Sequence, residues 1–208
     1  MNHKMITTFT TMKINPKTIV SILLLIAGTI LLSKIFYLEG KAIIAQQLLI
    51  HSWHKSKEIK RPVKPWMWAD IHPVGALRIP RLDIHQIILE GHNGEALAFG
   101  PGLIKKESSM TLAGHRDSHF EFLKDLRKGD NIFIEPMNGK EMTYVIHNMF
   151  VQDLREVEYF TLKDNQLSLI TCYPFDSATA GGPLRYIVEA HPAEKNISHR
   201  QTHIDYRF

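Results

Sequence analysis

The chain has a single cysteine, Cys172, among its 208 residues, so it can form no internal disulfide and must hold its fold by burying apolar side chains. No aspartate or glutamate precedes Glu39, and residues 18–33 carry no charge of either sign. Basic residues nowhere alternate with aromatics. Lysine and arginine are scattered through residues 55–64 and the C-terminal tail, and the formal charge of +4 is modest, so nucleic-acid binding has no support and these charges read as a solvated surface. Histidine is plentiful, at twelve, but metal-ligand spacing is missing. His115 and His119 sit four apart after a β-leaning run, not on one helical face, and no glutamate lies between them as a zinc hydrolase requires. The remaining histidines show no coherent spacing and read as surface residues, so neither a metal nor a cofactor is implied.

What the chain does contain is globular in balance, with 44% hydrophobic and 22% charged residues, enough for one main domain with appendages. Residues 18–38 form the first distinct segment. About 20 apolar residues cross a bilayer, Lys34 near one end can extend its ammonium into the headgroups, and Phe36 and Tyr37 suit the interface. A cleaved signal peptide is the competing reading, and a buried core helix a third. The run is long, however, and no small-x-small site follows Leu38, which favours an uncleaved anchor. Lys4, Lys13 and Lys17 precede it without an acidic residue, so the N-terminus is expected inside and the domain outside. The expected order is a tail at 1–17, the anchor at 18–38, a connector at 39–70, a domain at 71–192 and a tail at 193–208. Within the connector a short helix over 40–53 should give way to a basic, proline-punctuated stalk. Trp53, Trp66 and Trp68 fit either the membrane interface or packing on the domain.

The domain reads as many short strands, at 76–79, 84–89, 109–113, 131–135, 141–149, 167–171 and 185–190, with Gly, Pro and Asn between them. Asn138-Gly139 between two β runs predicts a hairpin, because both residues tolerate positive φ. Phe122, Leu123 and Leu126 predict a helix over 120–128 ended by Lys128-Gly129 as its C-cap. Seven or eight strands with few helices imply a mainly β fold, a closed or partly closed barrel.

The run Leu167-Ser168-Leu169-Ile170-Thr171-Cys172-Tyr173-Pro174 delivers the cysteine from an apolar strand into a proline-marked turn, where a nucleophile is displayed. A lone cysteine near a strand is commonly an inert buried hydrophobe. Two other segments argue otherwise. Ala113-Gly114-His115-Arg116 ends a second apolar run, and Arg185 opens a third strand after Gly181-Gly182-Pro183. A thiol acts as a nucleophile only as thiolate, which an imidazole or other positive charge favours, and acyl transfer needs a fixed donor for its oxyanion.

These segments resemble the sortases, cysteine transpeptidases of bacterial cell surfaces, and most of all the sortase class of Gram-negative bacteria. Leu169-Ile170-Thr171-Cys172 is similar to the TLxTC motif, with Ser168 at the first threonine, and Ala113-Gly114-His115-Arg116 is similar to the segment bearing the family's histidine. Gly100-Pro101-Gly102-Leu103 departs from a common GPGH, which touches a loop and not the catalytic set. The resemblance covers residues 74–191 and implies a β-barrel with Cys172, His115 and Arg185 as catalytic residues. It further implies a secreted protein with a C-terminal LPxTG-like sorting signal as substrate and an amine as acceptor. Some sortases use calcium, but Asp153, Glu156, Glu158 and Asp164 lack calcium-loop spacing and read as a solvated acidic loop. A hydrolytic peptidase and a tethered peptide-binding module without turnover are the alternative functions.

Overall fold

The computed structural model describes residues 15–106, 109–156, 165–177, 179 and 181–193. It divides into two units, residues 1–44 and 45–208. In the first, the described residues are helical from Pro16 onward and their apolar side chains from Ile19 to Leu38 are exposed. The 21 residues of 18–38 rise about 31 Å at the α-helical pitch, which matches a hydrocarbon core of about 30 Å. This helix, α1, spans Pro16–Ile59 without a break, so Gly40 does not start a separate helix as the sequence predicts.

The second unit is an eight-stranded closed barrel in the order β1-β2-β3-β4-β7-β8-β6-β5. Its strands are β1 (Pro73–Ile79), β2 (Ile84–Glu90), β3 (Gly102–Lys106), β4 (Ser109–Ala113), β5 (Asn131–Pro136), β6 (Met142–Asp153), β7 (Leu167–Cys172) and β8 (Leu184–Pro192). β1 pairs β5 antiparallel and completes the ring, so every strand has a neighbour on both sides. Strand alternation sends Leu77, Ile79, Leu112, Ile132, Ile134, Leu167, Leu169 and Val188 into one core with Phe120 and Leu123. All seven predicted strands are present, most of them longer by one to three residues.

β3 was not legible as a strand. Gly100-Pro101-Gly102 reads as a turn, yet Gly102 already pairs with both Leu89 and Ala113, and a Cβ there would lie 2.2 Å from the Gly91 carbonyl oxygen. Leu103, the departure from GPGH, is thus a strand residue paired with Leu112 and packed on the core. A short helix, α2 (Gly94–Phe99), precedes it, with the Asn93 side chain accepting from the Ala96 N–H at 2.8 Å.

Three local expectations are corrected. The helix predicted over 120–128 is a 3₁₀ turn over Glu121–Asp125, and Gly129 instead turns the chain into β5, its N–H donating to the Ile146 carbonyl at 2.9 Å. The β5–β6 hairpin forms, but of Asn138 and Gly139 only the glycine takes positive φ. The connector is no free stalk. Within the second unit, Leu49, Ala69 and Ile71 bury against Leu89 and Ala96, and Ser56 Oγ accepts from the Val63 N–H. Trp53 is buried and Trp66 packs edge-on against Phe99 at 4.9 Å, whereas Trp68 is exposed.

Candidate active site

β7 is the strand that gathers the site. It lies between β4, parallel to it, and β8, antiparallel to it. Leu167, Leu169 and Thr171 are buried, which anchors the strand, while Cys172 at its end is partly exposed. Across the antiparallel ladder Cys172 is the register partner of Arg185, so the two side chains stand on the same face. On the other side the last β4–β7 pair is Ala113 with Ile170, and His115 and Cys172 each lie two residues beyond it. The three sequence-predicted residues are therefore brought to one end of three adjacent strands.

Two contacts hold the histidine turn to that end. Gly114 N–H donates to the Ile170 carbonyl at 3.2 Å, and buried Thr171 Oγ1 donates to the Gly114 carbonyl at 2.8 Å. The second contact gives the threonine before Cys172 a role: its buried hydroxyl crosses to the histidine turn and is satisfied there. A Cβ on Gly114 would lie 2.7 Å from the Phe120 ring, which is fully buried. Gly114→Ala should accordingly cost about 1–3 kcal/mol of stability through overpacking. Thermal unfolding would register this as a lower Tm, and an unchanged Tm would show that the Phe120 ring yields freely.

Arg185 is partly exposed. Its Nη1 donates to the carbonyls of Gly182 (2.7 Å) and Leu184 (2.9 Å), which fixes the guanidinium, while Nε and Nη2 have no partner among the described residues. Tyr173, Phe175 and Tyr186 form an aromatic group next to the cysteine, with Phe175 and Tyr186 ring centroids 5.2 Å apart. Burial raises the Tyr186 phenol above its ordinary range, so it stays neutral and can donate.

The sequence reading passed over Arg116, which it quoted only as part of a motif. This side chain is 4% exposed and reaches across to the segment after β7. Nη1 donates to the Pro174 carbonyl at 2.6 Å, and Nη2 to the carbonyls of Ser177 (3.0 Å) and Thr179 (3.3 Å). Nε donates to Asp117 Oδ1 at 2.7 Å, and this bond holds the Asp117 carboxyl below its ordinary range. The adjacent Arg-Asp pair after Gly-His was the available signal.

His119 is not a fully exposed side chain. It is half-buried, its Nε2 lies 3.3 Å from the Ala98 carbonyl oxygen, and desolvation lowers its pKa, so its ring favours the neutral form. It lines a cavity of about 350 Å3 outside the barrel together with Trp53, His54, Gln86, Phe99 and Glu135, and that cavity touches none of Cys172, His115 and Arg185. Among the described residues no group of three or more His, Cys, Asp or Glu is placed to hold a metal ion. Asp153 is committed to Arg155, whose guanidinium and backbone N–H hold its carboxyl down to about 2, and Glu158 and Asp164 lie outside the described residues.

The family model for the sortase domain matches residues 77–193. The chain belongs to the sortase family. Sortase D of Bacillus subtilis is 34% identical over an alignment of 122 residues that covers 55% of this chain and 61% of that protein. The chain thus spans less than two thirds of that relative's length. The structure is similar to a Clostridium perfringens Sortase D5 transpeptidase, with a TM-score of 0.55 and 19% identity over 72% of this chain and 98% of that one. It is also similar to Listeria monocytogenes sortase A, with a TM-score of 0.51 and 21% identity over 59% and 88% of the two chains. These likenesses show that the eight-stranded barrel is the sortase fold.

Proposed function

We propose that this chain is a membrane-anchored cysteine transpeptidase that cleaves a C-terminal sorting signal and joins the protein bearing it to an amine at the cell surface. The observation that carries the reading is the register of β7, which pairs Cys172 with Arg185 and sets His115 two residues past the β4–β7 ladder. Cys172 Sγ attacks a backbone carbonyl of a peptide of LPxTG type, and the Nε and Nη2 donors of Arg185 hold the oxyanion that develops. The peptide bond breaks, His115 protonates the departing amine, and the acyl group remains as a thioester on Cys172. An incoming amine then gives its proton to His115 and displaces the thiolate. Water in place of the amine makes the same site a peptidase.

Residues 71–192 form the catalytic domain in this reading, joined through 39–70 to an anchor at 18–38, with tails at 1–17 and 193–208. The exposed apolar run in α1 supports anchoring, and the basic tail before it supports an inside N-terminus in the cytoplasmic membrane. A reporter fused after Phe208 should be active outside the cytoplasm while an N-terminal tag stays on the protein. A mature chain that has lost residues 1–38 would refute the anchor.

The reaction is tested with the full-length protein in detergent, an LPxTG-type peptide and an amine such as triglycine. Mass spectrometry should show a peptidyl adduct on Cys172, discharged by the amine as a longer product and by hydroxylamine as a hydroxamate. Binding without any adduct, over a panel of sorting peptides, would replace the enzyme with a capture module.

A further inference from the structure

Arg116 is the most heavily committed cation of the described barrel, and the reaction outlined above gives it no part. Its guanidinium spans two turns that adjoin the site: its own backbone follows His115, and its donors end on Pro174, Ser177 and Thr179, which follow Cys172. Three carbonyls without formal charge share one buried cation. Since a planar fork of donors reaches several acceptors at fixed angles, this set of bonds specifies where the segment after β7 lies relative to the histidine turn. The Asp117 carboxylate adds the compensating charge from its exposed side. Arg185 offers a contrast: it is partly exposed, and its Nε and Nη2 have no partner among the described residues.

We propose that Arg116 is a positioning residue for transfer: by tying the Pro174–Thr179 segment to the turn that bears His115, it sets the spacing between the nucleophile and its acid–base partner. This rests on the transpeptidase reading above. The β4–β7 ladder, which is the pairing that relates the histidine turn to the cysteine strand, stops short of both residues, since it ends at Ala113 and Ile170. Beyond that point the Thr171 hydroxyl bond to Gly114 and the Arg116 bonds carry the register forward. Arg116 also lies close enough to Cys172 to couple with it electrostatically, so charge and geometry have to be separated by experiment.

Lysine separates them, because it keeps the charge and loses the fork. In full-length protein in detergent, with rates normalised to the folded fraction from thermal melting, Arg116→Lys should lower kcat for peptide transfer about 100-fold, the penalty of misplacing a catalytic group by about 1 Å. KM and the rate of Cys172 alkylation by iodoacetamide, which expels iodide and so needs no proton delivered to a leaving amine, should change by less than about threefold. Arg116→Gln should lose transfer to the same degree. Asp117→Asn, which leaves the three carbonyl bonds in place, should stay within about tenfold of wild type.

Transfer by Arg116→Lys within about threefold of wild type would overturn the proposal, leaving Arg116 as a source of charge only. A fall in alkylation that parallels the fall in transfer would overturn it too, as a general collapse of the site. If the wild type forms no adduct with any peptide, the transpeptidase reading fails, and amide hydrogen exchange then decides the tie itself. Arg116→Lys should speed exchange at residues 173–179 and leave 167–171 protected, and equal protection of both segments in variant and wild type would dispose of it.

Discussion

Cys172→Ala is expected to abolish peptide cleavage and adduct formation while leaving the fold and peptide affinity close to wild type. The thioester requires the sulfur, so no other side chain at the site can take over the step. Loss of a nucleophile acting in concert with its acid–base partner lowers turnover by a factor on the order of 10^6. Stability should change by only about 1 kcal/mol, because Cys172 is partly exposed at a strand end and β7 is anchored by Leu167, Leu169 and Thr171, all buried. Calorimetry with the peptide and mass spectrometry after incubation separate the two effects. Residual cleavage near the wild-type rate in Cys172→Ala would mean that another group is the nucleophile and that the transpeptidase reading is wrong.

The second large effect concerns the two histidines. His115→Ala should lower kcat by about 10^2 to 10^4, the usual contribution of a general acid–base residue. His115 is exposed and contributes little packing, so its loss should leave the Tm nearly unchanged. His119→Ala should do the reverse, retaining most of the turnover and losing stability, because alanine removes the half-buried ring and its contact with the Ala98 carbonyl of α2. The pH dependence has a definite sign. Burial lowers the folded-state pKa of His119 below the ordinary imidazole value of about 6.5, so the unfolded chain binds the proton more readily. The stabilising effect of the neutral ring is present above that value and is lost as pH falls through it. Wild-type Tm should therefore fall as the pH drops from 7 to 5, and His119→Ala should lose part of that slope. Equal losses of turnover in the two alanine variants would point instead to a site that uses both histidines.

The long apolar helix, the strands and the candidate site residues were legible in the sequence because each depends on local pattern. An uncharged apolar run is long enough for a bilayer whatever it packs against, and the period-two alternation of β7 marks a strand without knowledge of its partners. The sequence likewise carried the chemical types of Cys172, His115 and Arg185 and their order along the chain. Their juxtaposition was not local. That Cys172 faces Arg185 follows from antiparallel register with β8, and that His115 comes to the same end follows from parallel pairing with β4, which joins residues more than fifty positions apart.

Where a segment's conformation depends on distant partners, the local pattern misled. The run at 120–128 has helical spacing, but burial of Phe120, Phe122 and Leu123 under the barrel leaves it a single 3₁₀ turn. β3 looks like a turn, and the neighbouring strands β2 and β4 draw it into the ladder. His119 resembles a surface histidine until α2 and β2 close over it. By itself, then, the sequence determined which segments are apolar, which alternate and which side chains are chemically able to act, since these are properties of residues and their near neighbours. Only the tertiary structure decided which of them meet. Arg116 is the sharpest case: every carbonyl it binds lies 58 to 63 residues further along the chain, so nothing short of the closed barrel brings donor and acceptors together.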